Sequence, residues 1–194
     1  MNFAQWAPFY RARFFMWFNR HEAAISGLTE ALAANPRFGR AAANLGYAHA
    51  MLGRDELAAR YFEQATELEP GNASTWFDLG FVHDRQGRKE EAIAAFGRAV
   101  ALRPALDRAW FGMGLAHAAL GRHDRAAEAL ERAAQLQPMN PHAWYSLGMA
   151  YFTLGETQKL KEAHAHLDRF DPKMALRLAK DAQLEEAASF SSPR

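Results

Sequence analysis

Cysteine is missing from the chain. Disulfide staples, thiol nucleophiles and zinc–thiolate sites are therefore excluded, and a reducing compartment suits the chain. β-Branched residues are scarce as well: Val, Ile and Thr together number 9, too few to build sheets. Neither sign of charge is in excess, with 23 Lys and Arg against 22 Asp and Glu and a net charge of +1. That balance removes the basic signature of nucleic-acid binding. No apolar run reaches the roughly 18 residues of a membrane-spanning helix. Arg11 and Arg13 interrupt the aromatic start where a secretory signal would hold its apolar stretch, and no small-residue cleavage site follows. A cytoplasmic chain is the expectation. Phosphate-cradling glycine loops and nucleophile elbows are absent too, which points away from an enzyme.

Alanine, by contrast, is the most frequent residue, and it is the best helix former. With 49% apolar residues the chain can bury a core, and its length allows one domain or two small ones. The composition predicts an all-α fold. Pro36, Pro70, Pro104, Pro138 and Pro172 are evenly spaced, each thirty-four positions after the last. Trp76, Trp110 and Trp144 keep that interval, as do Gly46, Gly80, Gly114 and Gly148, and also Gly53, Gly87, Gly121 and Gly155. Two alanine series, from Ala24 to Ala126 and from Ala31 to Ala133, do likewise. Each unit reads as two helices. Trp76, Leu79, Gly80 and His83 share one helical face, and Gly87 ends that helix. A second helix runs from Glu90 to Leu102 with Ile93, Phe96, Ala99 and Val100 on its buried side, and Pro104 closes the unit. Glycine inside a helix costs about 0.5–1 kcal/mol against alanine. Its return at Gly46, Gly80, Gly114 and Gly148 predicts a close approach of two helix backbones.

The recurring Trp–x–x–Leu–Gly of Trp76 to Gly80 and Trp144 to Gly148, with the Ala and Pro series, resembles the tetratricopeptide repeat. The resemblance covers units 39–72, 73–106, 107–140 and 141–174. It implies an all-α, right-handed superhelical solenoid of antiparallel helix pairs, the first helix of each pair lining a concave groove. Ala42 departs from the pattern at a tryptophan place, and Leu160, His164 and Leu167 stand at small-residue places of the 141–174 unit. Residues 5–38 resemble a degenerate first repeat in which Pro8 and Arg11 replace Trp and Leu. Residues 173–188 are expected to form a capping helix with Met174, Leu178 and Ala182 on one stripe, and Ser191–Arg194 a frayed tail. The expected organisation is an aromatic segment with the degenerate repeat (1–38), four repeats (39–174), and a capping helix with tail (175–194).

Charged and polar candidates read mostly as structure. Glu56, Glu63, Glu67, Glu90 and Glu91 belong to the solvated face of second helices. His49, His83 and His117, spaced by the same interval, stand where the family usually has Tyr. Neighbouring helices pack roughly 8–10 Å apart, whereas zinc takes its nitrogens at about 2 Å. These imidazoles are therefore read as interface residues, each with one polar partner. His164 and His166 point to different sides of a helix. No metal site and no cofactor is expected.

A second apolar stripe on the first helices carries the functional reading: Tyr47, Phe77 and Phe81, Phe111 and Leu115, Tyr145, Met149 and Phe152. A helix with one packing partner on each side does not need so wide an apolar arc. The resemblance places the stripe in the groove, with Asn44, Asp78, Asp84, Arg85 and Ser146 beside it to orient a partner. The alternative is that these aromatics thicken the core. Chaperone adaptors of the family grip a C-terminal carboxylate with Lys, Arg and Asn, but those places here hold Ala43, Tyr47, Phe77 and Phe81. The expected ligand is instead an apolar peptide or amphipathic helix of another protein.

Aromatic residues crowd the start of the chain: Phe3, Trp6, Phe9, Tyr10, Phe14, Phe15, Trp17 and Phe18. From Pro8 onward this helix is apolar on nearly every side except at Arg11 and Arg13. It reads as a cap lying against Leu28, or as an element docking a second chain through Trp6, Phe9, Tyr10, Phe14 and Trp17. A membrane-surface helix is a third reading, and would want a distinct cationic face. The function expected is that of a non-catalytic adaptor or assembly factor. The alternative is a structural homo-oligomer assembled through the aromatic helix.

Overall fold

The structure, a computed structural model, describes residues 3–184 and contains eleven α-helices and no strand among them. The chain divides into two compact units between Arg103 and Pro104. The first opens on a 3-10 turn and holds α1 (Trp6–Trp17), α2 (His21–Ala34), α3 (Gly39–Met51), α4 (Asp55–Leu68), α5 (Ala73–Arg85) and α6 (Lys89–Leu102). The second holds α7 (Asp107–Ala119), α8 (His123–Leu136), α9 (Pro141–Leu154), α10 (Thr157–Asp168) and α11 (Pro172–Asp181). Helices pair in chain order, α1 with α2 through α9 with α10. Within the units α2 also packs on α3, α4 on α5, and α8 on α9.

Two glycine series answer to two different needs. Gly53, Gly87, Gly121 and Gly155 take φ of 71°, 76°, 71° and 72°, the left-handed turn that closes a helix end. The next amide then donates to a carbonyl five residues back, as Arg54 does to His49 and Arg88 to His83. Asn19, at φ 55°, turns α1 into α2 in the same way. It stands one repeat length before Gly53, and asparagine is among the few residues that visit this region.

At Gly46, Gly80 and Gly114 the need is space. A Cβ there would lie 2.7, 2.7 and 2.6 Å from the side chains of Phe62, Phe96 and Leu130. The expected approach of two backbones is thus corrected. Each glycine is a notch filled by a buried side chain from the second helix of its own pair, and such burial contributes roughly 1.5–3 kcal/mol per residue. His164 holds the notch-filling place of the 141–174 unit, not a small-residue place, and it does not fill Gly148. Leu178 of α11 does, at 2.6 Å. Leu160, Leu167 and Leu178 share one buried cluster with Leu147, so α11 completes the core of the last pair. It ends at Asp181, short of residue 188, because Gln183 takes φ 52° and the Leu184 amide donates to Ala179. Residues 185–188 of the expected cap and the tail Ser191–Arg194 lie outside the described residues.

The tryptophan and proline series turn out to be one device. Trp76, Trp110 and Trp144 each donate Nε1–H to the carbonyl six residues earlier, of Pro70 (2.9 Å), Pro104 (2.9 Å) and Pro138 (2.8 Å). Proline ends the preceding helix, and the indole ties up the carbonyl it leaves in the turn.

His49 and His83 are buried as expected, with different partners. His83 sets Nδ1 3.4 Å from Gln86 Oε1. The ring of His49 lies flat on Tyr61, 5.4 Å between centroids, and its Nδ1 is buried without a hydrogen bond. One polar partner each is thus not the rule, because at His49 an aromatic face takes that role. Burial lowers both pKa values from the ordinary 6.5. The unfolded chain therefore binds more protons around and below pH 6.5, and stability falls with acidification. The melting temperature is expected to drop between pH 7 and pH 5, with a shallower slope in His83→Gln. Equal slopes in the two proteins would show that His83 is not a source of the effect.

Candidate functional site

In the first unit the stripe rests on two helices that meet, α3 and α5. Tyr47 is 42% exposed and Phe81 48%. Phe77, one turn before Phe81 on α5, is half-buried with its ring 5.8 Å from Phe96. Phe77 thus packs towards the core, while Tyr47 and Phe81 stand out from it. Asn44 and Asp78 are half-buried beside them. Arg85 is not a loose side chain. Its Nε donates to Asp55 Oδ2 at 3.0 Å and its Nη2 to the Ala50 carbonyl at 3.1 Å, and its guanidinium stands 5.5 Å from the centre of the Phe81 ring. The anchored Arg85 guanidinium thus stands against the exposed Phe81 ring. Asp84 is held by Lys89 at 2.7 Å.

In the second unit Leu115 and Phe152 are exposed, whereas Phe111 and Met149 are half-buried against the core. Ser146 is half-buried too. Tyr145 belongs to α11 as much as to the stripe. Its hydroxyl donates to Asp181 Oδ2 at 2.6 Å, and the Arg177 guanidinium lies 5.0 Å from its ring centre. The bond to Asp181, with burial adding to it, raises the Tyr145 pKa above its ordinary value, and the same bond lowers that of Asp181. Sequence periodicity could not show this contact, since its two residues are not separated by the repeat length.

The aromatic helix α1 divides lengthwise. Phe9 is fully buried, 4.8 Å from Phe38, and Trp6 packs on the same ring at 4.9 Å. Phe9 shares one buried cluster with Leu28 of α2 and Leu45 of α3, and Trp6 packs against it, so these two residues cap the fold. Tyr10, Phe14, Trp17 and Phe18 face outward, Trp17 at 85% exposure, and with Arg13 they line a shallow cavity of about 350 Å³. Among the described residues no helix is long and apolar enough to cross a membrane, and no cluster of three His, Asp or Glu is placed to hold a metal ion.

Profiles described as tetratricopeptide repeat match residues 39–72 and the overlapping stretches 56–107, 77–141 and 111–159. Comparison with curated proteins finds no match. Among solved structures, MamA is 25% identical over 89% of this chain and 96% of its own, with a TM-score of 0.74. YrrB, described as a TPR protein with an unusual peptide-binding site, is 22% identical over 89% and 90%, with a TM-score of 0.80. PilW, described as a widely conserved type IV pilus biogenesis factor, is 21% identical over 98% and 91%, with a TM-score of 0.75.

Proposed function

The chain belongs to the tetratricopeptide repeat family, and from that premise we propose that it is a non-catalytic adaptor or assembly factor. It holds an apolar peptide or amphipathic helix of a partner protein against its first helices. The observation that carries this reading is the pair Tyr47 and Phe81, exposed on adjoining helices in a fold that buries Phe62 and Phe96 completely. Covering such rings is worth roughly 1.5–3 kcal/mol each, and exposed aromatic patches mark interaction sites. Phe77, Asn44, Asp78 and Arg85 border the pair. Phe111, Leu115, Tyr145 and Met149 repeat the register of Phe77 and Phe81 in the second unit, and Phe152 follows one turn after Met149. The description of YrrB as a peptide binder supports the reading. It invokes no cofactor, metal or nucleic acid, and it places the protein in the cytoplasm.

Because Phe77 also braces Phe96, the test falls on Tyr47 and Phe81. A partner captured from native extract by the wild-type chain is expected to be lost by Tyr47→Asp, Phe81→Asp, with the helical circular dichroism unchanged. A partner retained by that variant would move the site elsewhere. The outward Tyr10, Phe14 and Trp17 favour a second reading, assembly of copies through α1, for which the captured partner would be the chain itself.

A further inference from the structure

We propose that the outward face of α1 docks the protein peripherally on an anionic lipid bilayer. The inference stands apart from the groove reading, since it uses none of Tyr47, Phe77 and Phe81. Tyr10, Phe14, Trp17 and Phe18 are each more than half exposed. With Arg13 they follow the i, i+3, i+4, i+7, i+8 spacing of one helical face. The rings are set against one another in advance: Phe14 and Phe18 meet edge to face at 5.0 Å, and Tyr10 stacks on Trp6 at 5.7 Å. Their polar tips are unspent. The Trp17 indole N–H and the Tyr10 hydroxyl make no hydrogen bond among the described residues, whereas the indoles of Trp76, Trp110 and Trp144 are each tied to a proline carbonyl. Apolar rings with free donors at their rims suit the boundary between acyl chains and headgroups.

Charge selects the kind of surface. No Asp or Glu precedes Glu22, while Arg11, Arg13 and Arg20 all stand in that stretch. The first two acids of the chain, Glu22 and Glu30, are already engaged by Arg54 and Arg11. Arg13 and Arg20 are exposed and make no ion pair among the described residues. Each guanidinium lies instead beside a ring, Arg13 at 6.0 Å from the centre of Phe9 and Arg20 at 5.4 Å from that of Phe15. A ring face attracts a cation but neutralises no charge. These cations form no separate face. Arg13 lies within the aromatic stripe and Arg20 just past its end, so their stems can carry guanidiniums to lipid phosphates while the rings enter the interface. The negative cytoplasmic leaflet of a membrane complements such a face. A second copy suits it less well. Across a two-fold contact Arg13, midway along the stripe, would face its own equivalent with no acid on α1 between them. Among the described residues no helix is long and apolar enough to cross the bilayer, so the contact is peripheral.

The test sediments the intact chain with vesicles of phosphatidylcholine alone, or of phosphatidylcholine with about a third phosphatidylglycerol. The chain is expected to travel with the anionic vesicles and to bind the neutral ones about tenfold more weakly. Phe14→Ser, Trp17→Ser removes two exposed rings, so the helical circular dichroism should be unchanged while binding weakens about tenfold to a hundredfold. Arg13→Gln, Arg20→Gln is expected to abolish the preference for anionic vesicles, and Tyr47→Asp, Phe81→Asp to bind them as the wild type does. Sedimentation with neither vesicle would overturn the proposal, and equal binding to both would overturn the anionic assignment. Undiminished binding by Phe14→Ser, Trp17→Ser, or binding lost in Tyr47→Asp, Phe81→Asp, would take the contact away from α1. A multimer seen by light scattering without lipid, and dissolved by Phe14→Ser, Trp17→Ser, would give the face to a second copy and overturn the bilayer.

Discussion

Phe96→Ala is expected to destabilise the first unit by about 3–5 kcal/mol, the usual loss for a fully buried phenylalanine. Gly80→Leu is expected to cost a comparable amount by the opposite route. Its first side-chain atom alone would sit 2.7 Å from the Phe96 ring, and overpacking of that kind costs roughly 1–3 kcal/mol before the rest of the leucine is placed. The two residues compete for one space, so the double variant should lose clearly less than the sum of the singles, with a coupling of about 0.5–3 kcal/mol. Urea unfolding of the four proteins, followed by circular dichroism, measures this. Strictly additive losses would mean that the ring and the glycine do not share a notch.

The second large effect is expected at the other end of the chain. Leu178→Ala empties the notch of Gly148 and removes a fully buried contact from the cluster of Leu147, Leu160 and Leu167. A loss of about 2–5 kcal/mol follows, confined to the second unit because stability in repeat folds is carried by neighbouring contacts. Amide hydrogen exchange is expected to accelerate throughout α9, α10 and α11 and to stay unchanged in α2 to α5. Unchanged protection in α11 would show that this helix is not held through Leu178. A Tyr145→Phe control removes only the bond to Asp181 and should change exchange far less.

The repeat register was legible in the residues because it records demands of the backbone. A left-handed turn needs Gly53 and its equivalents, and a helix stop needs Pro70 and its equivalents, whatever surrounds them. The purpose of Gly80 was not legible, since a small residue announces that something approaches and not what it is. Exposure along α1 was hidden for a related reason. A helix that is aromatic all round carries no pattern separating Phe9 from Phe14, and only the position of Phe38, on the loop before α3, decides between them. Leu178 was expected on the capping stripe, but its place over Gly148, like the bond of Asp181 to Tyr145, escaped because both contacts are made from outside the repeat interval.

The notches also set an order of assembly during synthesis. Each of Gly46, Gly80 and Gly114 meets its filler sixteen residues later, so these locks have low contact order, close over short loops, and can snap shut as soon as each helix pair has left the ribosome. Gly148 waits thirty residues for Leu178. At roughly 5–20 residues per second, translation leaves that last notch open for about 1.5–6 s, long enough for a nascent-chain chaperone to reach it. The vectorial order of the chain thus makes its final repeat the one stretch that cannot mature until α11 has emerged.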